Sequence, residues 1–189
     1  MTDTLAKDPP AAATNDWSAD AVAAIRALDI RQIAYVPDAG LSRILTLAEE
    51  DETIAMTSVT TEEDAIALSG GAWLGGQRTL VAMQSSGVGN ILNMLTLPRI
   101  CEMPLLMLVT MRGEPGESNP WQHSTGLAMT AMLDTVDVEV RRVEAASEVG
   151  AVLRQAGEDA FGGNRQICVQ IAQSLIGFKG FHGKGESDD

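Results

Sequence analysis

Residues 57–72 read Thr57-Ser-Val-Thr-Thr-Glu62-Glu63-Asp64-Ala-Ile-Ala-Leu-Ser-Gly-Gly-Ala72. The pattern predicts the end of an apolar strand over residues 53–59, then a polar turn, then a helix that begins with three acids. Thr60 or Thr61 suits the N-cap of this helix, because a threonine hydroxyl can accept a hydrogen bond from a free backbone N–H. A strand, a turn and a helix in this order form the repeating unit of an α/β fold.

Two interpretations of Glu62, Glu63 and Asp64 are open. Acidic side chains in a first helical turn stabilise the positive end of the helix dipole, and most such clusters do nothing more. The residues that follow favour a functional role, because they are small enough to let another backbone or chain approach closely. They are Ala65, Ala67, Gly70, Gly71, Ala72 and Gly75. A carboxylate between such a helix and apolar strands is partly withdrawn from water, a setting that favours proton exchange.

The composition excludes several classes of function. The 189 residues carry a formal net charge of -13, and no run of lysine or arginine offers a track for nucleic-acid phosphates. Residues 1–14 lack the apolar core of a signal peptide, and no apolar run is long enough to span a bilayer. Cys101 and Cys168 lie among apolar residues without metal-ligand spacing, which predicts buried, reduced thiols. We therefore expect a soluble, cytoplasmic chain with neither a nucleic-acid nor a membrane partner.

Strands and helices alternate along the chain. Apolar strands are predicted over residues 32–36, 53–59, 78–84, 104–110, 136–140 and 166–171. Helical patterns separate them, one of which is predicted to end near Pro98. The alternation predicts an α/β fold, a doubly wound, mostly parallel six-stranded sheet with helices on both faces. We expect one domain over 17–181, a flexible N-terminal arm over 1–16 and an acidic tail over 182–189.

Ligands of such a sheet bind beyond the carboxyl ends of its strands, so polar residues just after each strand locate a candidate site. Gly87-Val88-Gly89 follows one strand but lacks the third glycine of a dinucleotide loop. The chain contains neither a P-loop nor a nucleophile elbow. The glycine turn has two open interpretations, an anion-binding set of backbone N–H groups or a plain turn that starts a helix. His123 and His182 are too isolated to predict a metal site.

The segments at this edge, taken in order, resemble a known family. They are Val36-Pro37-Asp38, Glu62-x-x-Ala65 with Gly70-Gly71-Ala72, Met83-Gln84-Ser85-Ser86-Gly87-x-Gly89-Asn90, Arg112-Gly113-Glu114-Pro115-Gly116-Glu117, Asn119-Pro120-x-Gln122 and Ile176-Gly177-Phe178-Lys179. Glu-x-x-Ala alone is a weak signal, whereas the ordered set is specific and spans nearly the whole chain. The chain resembles the pyrimidine-binding domain of thiamine diphosphate enzymes, in particular the alpha subunit of sulfopyruvate decarboxylase and the related phosphonopyruvate decarboxylases.

The resemblance implies a catalytic role for Glu62. In that family a glutamate exchanges a proton with the aminopyrimidine ring of the cofactor and so activates it. Counting back from Gly71 places Glu62 at the family position and Glu63 one residue late. The resemblance also implies contacts with cofactor and substrate, and it makes His123 a second catalytic candidate. The cofactor contacts are Asp38, Glu62, Gln84, Ser85, Ser86, Gly87 and Asn90, and the substrate contacts are Arg112, Gln122 and His123.

Half of the cofactor site has no counterpart in the chain. Enzymes of that family hold Mg²⁺ and the diphosphate with a Gly-Asp-Gly segment and a later asparagine, and the chain contains no such segment. Gly157-Glu158-Asp159 and Gly162-Gly163-Asn164 are interpreted as a helix end and a turn. The resemblance therefore implies a diphosphate-binding beta subunit that supplies the metal ligands, and a hetero-oligomer with sites between chains. The methionines and the small-residue helix would suit burial against that partner, although core packing is the commoner use of methionine.

The substrate is less well specified. The resemblance implies decarboxylation of a small 2-oxo acid with a second anionic group, such as sulfopyruvate or phosphonopyruvate. Arg112, Gln122 and His123 could meet that group, but pairing of Arg112 with Glu114 or Glu117 is an equal alternative. Two other functions stay open. One is a thiamine diphosphate-dependent carboligase or oxidoreductase subunit, since the same activated cofactor serves those reactions, and the other is a non-catalytic flavodoxin-like binding module.

Overall fold

The computed structural model describes residues 16–176. Six strands form one sheet in the order β2-β1-β3-β4-β6-β5, and every neighbouring pair is parallel. The strands are β1 (Ile30–Tyr35), β2 (Ala55–Ser58), β3 (Arg78–Gln84), β4 (Leu105–Thr110), β5 (Glu139–Val143) and β6 (Gln166–Ile171). The predicted doubly wound α/β fold is confirmed, and the sheet is wholly parallel.

Helices cover both faces of the sheet. They are α1 (Trp17–Ala27), α2 (Ser42–Glu49), α3 (Glu62–Leu74), α4 (Val88–Ile100), α5 (His123–Asp134), α6 (Val149–Gly163) and α7 (Gln173–Ile176). Helices α1, α2 and α6 pack on one face, and α3, α4 and α5 pack on the other. The 3₁₀ turns Ser85–Gly87 and Pro120–Gln122 lead directly into α4 and α5.

Strand β4 shows how the sequence builds two cores. Successive side chains of a strand point to opposite faces of the sheet. Leu106 and Leu108 therefore join the core under α1, α2 and α6, while Leu105, Met107 and Val109 join the core under α3, α4 and α5. All six residues of β4 are buried. Burial on both faces explains why this segment is apolar without alternation.

The strand predicted over 136–140 is wrong, because β5 begins three residues later, at Glu139. The residues between α5 and β5 form a turn in which Asp137 has a left-handed backbone with φ 55°. Val136 and Val138 of this turn still pack into the core under α3, α4 and α5. The alternation of apolar residues correctly indicated side chains that fill a core. In this turn they fill it although the backbone does not pair with the sheet.

Two further predictions are wrong, the burial of Cys101 and the length of the strand over residues 53–59. Cys101 is exposed, because α4 continues through Pro98 and Cys101 caps its end. Cys168 on β6 is buried as predicted, and burial raises the pKa of its thiol. The strand predicted over 53–59 is shorter, since β2 is a four-residue edge strand whose two end residues are exposed.

Some predictions concern residues that the structure does not describe. The N-terminal arm apart from Asp16, the acidic tail over 182–189 and His182 lie outside the described residues, as does Gly177-Phe178-Lys179. Within residues 16–176 no helix combines the length and the apolar character that crossing a membrane requires.

The strand order places a topological switch point at the carboxyl ends of β1 and β3. From β1 the chain moves outward to β2 and then returns past β1 to β3. The helix that follows β1 lies on one face of the sheet, and the helix that follows β3 lies on the other. Parallel sheets bind ligands at such a switch point. The polar segments after β1, β2, β3 and β4 all meet this edge.

Candidate functional site

Of the three acids at the start of α3, only Glu62 is turned inward. Glu62 is 6% exposed, whereas Glu63 and Asp64 are exposed to solvent. Thr61 occupies the predicted N-cap position but makes no side-chain cap hydrogen bond. The three acids therefore differ in environment. Glu63 and Asp64 lie in solvent at the positive end of the helix, and Glu62 is nearly buried.

Glu62 lies in a slot formed by the start of α4, which we call the Glu62 slot (Glu62, Gly87 and Asn90). Asn90 Nδ2 donates a 2.8 Å hydrogen bond to Glu62 Oε2. A Cβ on Gly87 would stand 2.2 Å from Glu62 Oε1, so only glycine leaves room for this carboxylate position. Gly87 has right-handed helical backbone angles, so the structure requires its small size and not its conformational freedom.

A second polar cluster surrounds Asp38, whose side chain is 5% exposed. Its Oδ1 accepts a 2.9 Å hydrogen bond from Arg112 Nη2. Its Oδ2 accepts hydrogen bonds from Thr110 Oγ1 at 3.0 Å and from the backbone N–H of Gly40 at 2.9 Å. A buried ion pair with additional hydrogen bonds is costly to break by removing one partner. Asp38 is thus held by this chain, and its contact with a cofactor stays a prediction.

Arg112 faces carboxylates of its own chain. Its guanidinium lies 2.9 Å from Asp38 and 3.8 Å from Glu117, and its side chain is 17% exposed. Glu114, the other partner considered from the sequence, pairs with Arg142 at 2.7 Å. Arg112 Nε is buried and has no hydrogen-bond partner among the described residues. The charge of Arg112 is therefore largely compensated, and its contact with a substrate stays a prediction.

Glu117 ties the loop after β4 to α7. Its carboxylate accepts hydrogen bonds from the backbone N–H groups of Asn119 at 3.0 Å and Gly113 at 3.4 Å, and from Gln173 Nε2 at 2.9 Å. Burial by itself would raise the pKa of this carboxyl group. The three donors and the charge of Arg112 outweigh burial and hold the pKa of Glu117 below its ordinary value of 4.5. An ionised Glu117 therefore fixes the loop that leads into α5.

Glu117→Gln is expected to lower the free energy of unfolding by about 1–3 kcal/mol at neutral pH, because three donors lose a charged acceptor. The native pKa lies below the unfolded one, so this stabilisation is complete above the unfolded pKa of about 4.5 and is lost as pH falls through the native pKa. Urea titrations at pH 7 and about pH 3 should therefore show the two proteins converging at acid pH. Glu52→Gln, at an exposed turn, is the control and should change stability by less than about 0.5 kcal/mol. A gap that persists undiminished at acid pH would contradict the assignment.

The second cluster reaches the 3₁₀ turn after β3. Ser85 is fully buried, and its Oγ accepts a 2.9 Å hydrogen bond from the backbone N–H of Arg112. Gln122 is 8% exposed, and its Nε2 donates a 3.2 Å hydrogen bond to Gln84 Oε1. Gln122 Oε1 is buried without a partner among the described residues. A buried acceptor of this kind calls for an explanation, and a ligand donor supplies one.

His123 is oriented by a backbone carbonyl. Its Nδ1 lies 3.0 Å from the carbonyl oxygen of Gly113. Because a carbonyl only accepts, Nδ1 carries the hydrogen and Nε2 of the neutral ring keeps a lone pair. Gly113 has φ 83°, a left-handed conformation that favours glycine, and a Cβ there would lie 2.8 Å from the carbonyl oxygen of Gln122. His123 can thus accept a proton at Nε2, and its catalytic role stays a prediction.

The predicted site residues form two groups that share the turn Ser85–Gly87. The Glu62 slot is the first, and Ser86 lies half-buried beside it. The second group contains Asp38, Gln84, Ser85, Arg112, Gln122 and His123. Sequence reasoning missed Thr110 and Gln173, which orient Asp38 and Glu117. The available signals were a polar residue at the end of buried strand β4, Thr110, and a polar residue two positions after buried strand β6, Gln173.

Glu62 and Gln122 each offer an acceptor oxygen, the kind of group that the pyrimidine end of thiamine diphosphate requires. Glu62 Oε1 and Gln122 Oε1 are acceptors, and neither has a hydrogen bond from a described residue. The amino group of the pyrimidine ring can donate to an acceptor of this kind, and a ring nitrogen can do so when it is protonated. Residues 16–176 contain no group of three or more His, Cys, Asp or Glu that could hold a metal, so none of them is assigned to the Mg²⁺ that would accompany the diphosphate.

No protein-family model matches the chain. It is 31% identical over 134 residues to sulfopyruvate decarboxylase subunit alpha of Methanocaldococcus jannaschii, a match that covers 70% of this chain and 79% of that one. The same subunit of Methanococcus maripaludis is 31% identical over 127 residues, 67% of this chain and 76% of that one. Phosphonopyruvate decarboxylase of Streptomyces viridochromogenes is 36% identical over 124 residues, which cover 65% of this chain but 31% of that one.

A solved structure shares the fold. It is 2-oxoglutarate:ferredoxin oxidoreductase from Magnetococcus marinus with 2-oxoglutarate, coenzyme A and succinyl-CoA bound, and it matches with a TM-score of 0.68 over 86% of this chain and 29% of that one. At 16% identity, this likeness shows the fold alone. The two alpha subunits match at higher identity and over most of their length. This chain belongs to the family of the sulfopyruvate decarboxylase alpha subunits and the related phosphonopyruvate decarboxylases.

Proposed function

We propose that this chain is the pyrimidine-binding subunit of a two-subunit thiamine diphosphate-dependent decarboxylase that acts on a small anionic 2-oxo acid, sulfopyruvate- or phosphonopyruvate-like. The observation that carries the proposal is the Glu62 slot, which holds a nearly buried carboxylate at the switch point with one oxygen free of protein hydrogen bonds within residues 16–176. Burying a carboxylate costs free energy that a purely structural residue would avoid. Relatives named as decarboxylases support the reaction class.

Glu62, Gln122 and His123 have separate roles in the proposed reaction. When bound, thiamine diphosphate supplies the electron sink that decarboxylation of a 2-oxo acid requires. Glu62 would hold or release a proton at Oε1 toward the pyrimidine ring, and its own low exposure of 6% suits that exchange. Gln122 Oε1 offers the ring a second acceptor. His123, with a free lone pair on Nε2, is the candidate for moving a proton on the substrate side.

A partner chain is proposed to bind the diphosphate and Mg²⁺. Relatives named as alpha subunits imply a further subunit in those enzymes. The residues matched to the phosphonopyruvate decarboxylase cover 31% of the length of that enzyme. A separate chain that supplies the diphosphate-binding part is consistent with both observations.

The surface proposed for this partner is the α3–α4 groove, an apolar groove of about 310 Å³ lined by Ile66, Ala67, Gly70, Gly71, Leu74, Leu97, Pro98 and Met103. Leu74 is 76% exposed, Leu97 is 52% exposed and the neighbouring Ile100 is 79% exposed. Contiguous exposed apolar residues of this kind are typical of protein interfaces. Helix α3 connects the groove with Glu62, so a chain bound along it can reach the cofactor site. The buried Met107, Met111 and Met129 instead pack in the core, where methionine is commonest.

Co-expression tests the proposal. The probe is the product of a gene beside this one that carries a Gly-Asp-Gly segment and a later asparagine. With thiamine diphosphate and Mg²⁺, adding that chain should raise turnover of sulfopyruvate or phosphonopyruvate at least about tenfold over either chain alone. In the reaction the C1–C2 bond breaks, CO₂ leaves and a proton takes its place, so CO₂ and an aldehyde are measured in equal amounts. An acyloin or thioester product would move the assignment to carboligation or oxidation.

Leu97→Asp should weaken binding of the partner at least about tenfold, because a charge would be buried in an apolar contact. Ala151→Asp, an exposed substitution on α6 across the sheet, is the control and should leave the affinity within about twofold. The dissociation constant is measured by titrating one purified chain into the other. Equal affinities of the two variants would contradict this surface, and an assembled pair that releases no CO₂ from either acid would contradict the function.

A further inference from the structure

The Glu62–Asn90 contact makes the two oxygens of Glu62 different. Asn90 Nδ2 donates to Oε2 at 2.8 Å across 28 residues of sequence. Oε1 receives no hydrogen bond from residues 16–176 and lies against the bare Cα of Gly87, where a Cβ would come within 2.2 Å. Glu62 is 6% exposed, its Oε2 accepts a hydrogen bond from Asn90, and its Oε1 accepts none from the described residues.

We infer that Asn90 is a positioning residue, which fixes the exchangeable proton of Glu62 on Oε1 and does not bind the cofactor itself. The inference rests on the proposed function of Glu62 and deepens it. The sequence-based prediction that Asn90 contacts the cofactor is the alternative that the test below distinguishes.

The argument follows from what each atom can donate. An ionised carboxylate only accepts, so the asparagine must present its N–H₂ group and not its carbonyl oxygen to Oε2. When Glu62 takes up a proton, the Asn90 bond keeps its strength if Oε2 is the carbonyl oxygen of the acid, because a carbonyl oxygen accepts better than a hydroxyl oxygen. The proton is then favoured on Oε1, the oxygen beside Gly87. A single amide donor therefore selects the oxygen and the direction of transfer.

Other charged groups around Glu62 are few. The segment 85–90 packed against it carries no titratable side chain. Glu63 and Asp64, on its own helix, are exposed. The strands beneath carry Arg31, Tyr35 and Arg78, and α4 carries Arg99 near its far end. Asn90 is accordingly the group in direct contact with the carboxylate that can be changed without altering a neighbouring charge.

The test compares Asn90→Ala and Asn90→Asp with wild type by two measurements. The first is the ¹³Cδ titration of Glu62 in the full chain without cofactor, its signal identified by its loss in Glu62→Gln. Its midpoint should rise by about one pH unit in Asn90→Ala, because the ionised form loses a donor, and further in Asn90→Asp, because a second negative charge opposes ionisation. The second is kcat of the assembled enzyme, which should fall about tenfold in Asn90→Ala with little change in the KM for thiamine diphosphate.

Asn93→Ala, at an exposed position one turn later on α4, is the matched control and should leave the titration midpoint and kcat unchanged. Thermal unfolding checks that each variant is folded, and Asn90→Ser replaces any that is not. A raised KM for the cofactor with an unmoved midpoint would make Asn90 a plain cofactor contact and overturn the inference. An unmoved midpoint with full kcat would overturn it too. Retained turnover in Glu62→Gln would instead overturn the proposed function.

Discussion

Glu62→Gln should reduce kcat of the assembled enzyme by about 100-fold or more, within the range that positioned acid–base groups contribute. Glutamine keeps the shape of the side chain and can still accept from Asn90, but it cannot take up and release a proton. Removing a buried charge at the same time relieves a desolvation cost, so the variant should be folded and at least as stable as wild type. Turnover and thermal unfolding of the same preparation therefore separate loss of chemistry from loss of fold.

Glu63→Gln is the matched control. It removes the same charge one residue later, from an exposed position that faces solvent at the start of α3. Its kcat should stay within about twofold of wild type, because exposed helix-start charges contribute only about 0.3–1 kcal/mol to stability and nothing to the reaction. Equal losses in the two variants would mean that the acids act through the helix dipole. Retained turnover in Glu62→Gln would remove the catalytic assignment.

The fold was predictable because its signals are local. A parallel sheet buried on both faces favours largely apolar strands, and β3, β4 and β6 have that character over nearly the predicted residues. Apolar patterning gave a wrong strand around Val136 and Val138, because side chains in a turn can fill a core as fully as those in a strand. Sequence periodicity reports burial, and backbone pairing has to be added from the structure.

The site was predictable only in part, because its contacts join distant segments. Resemblance singled out Glu62 among three adjacent acids. The structure places Glu62 on the buried face of α3 with Ala65, Ile66 and Ser69, the i, i+3, i+4, i+7 spacing of one helix face, whereas Glu63 and Asp64 lie off it. Arg112 had two sequence-local candidates, Glu114 and Glu117, yet its shortest ion pair is with Asp38, 74 residues away. Local reasoning lists nearby charges, whereas the sheet topology decides which of them meet.

Gly87→Ala is expected to abolish turnover almost as fully as Glu62→Gln while the protein remains folded. The new Cβ would stand 2.2 Å from Oε1, 2.6 Å from Cδ and 2.9 Å from Cγ of Glu62, so the glutamate side chain must leave its slot. The backbone angles at Gly87 are right-handed helical, and alanine adopts them without strain. The clash involves side-chain atoms of Glu62 and no backbone atom. The Glu62 carboxylate is therefore expected to move away while the stability of the protein changes little.

Gly89→Ala provides the control within the same turn, since a Cβ at Gly89 meets nothing within 4 Å. Its kcat should stay within about twofold of wild type, and its melting temperature should not fall. The double variant Gly87→Ala with Glu62→Gln sharpens the test. Two changes that act through one carboxylate are not additive, so the double variant should be no slower than the slower single variant. Losses that multiply would show that Gly87 serves the reaction by a route independent of Glu62, and a fully active Gly87→Ala would show that the carboxylate does not work from this slot.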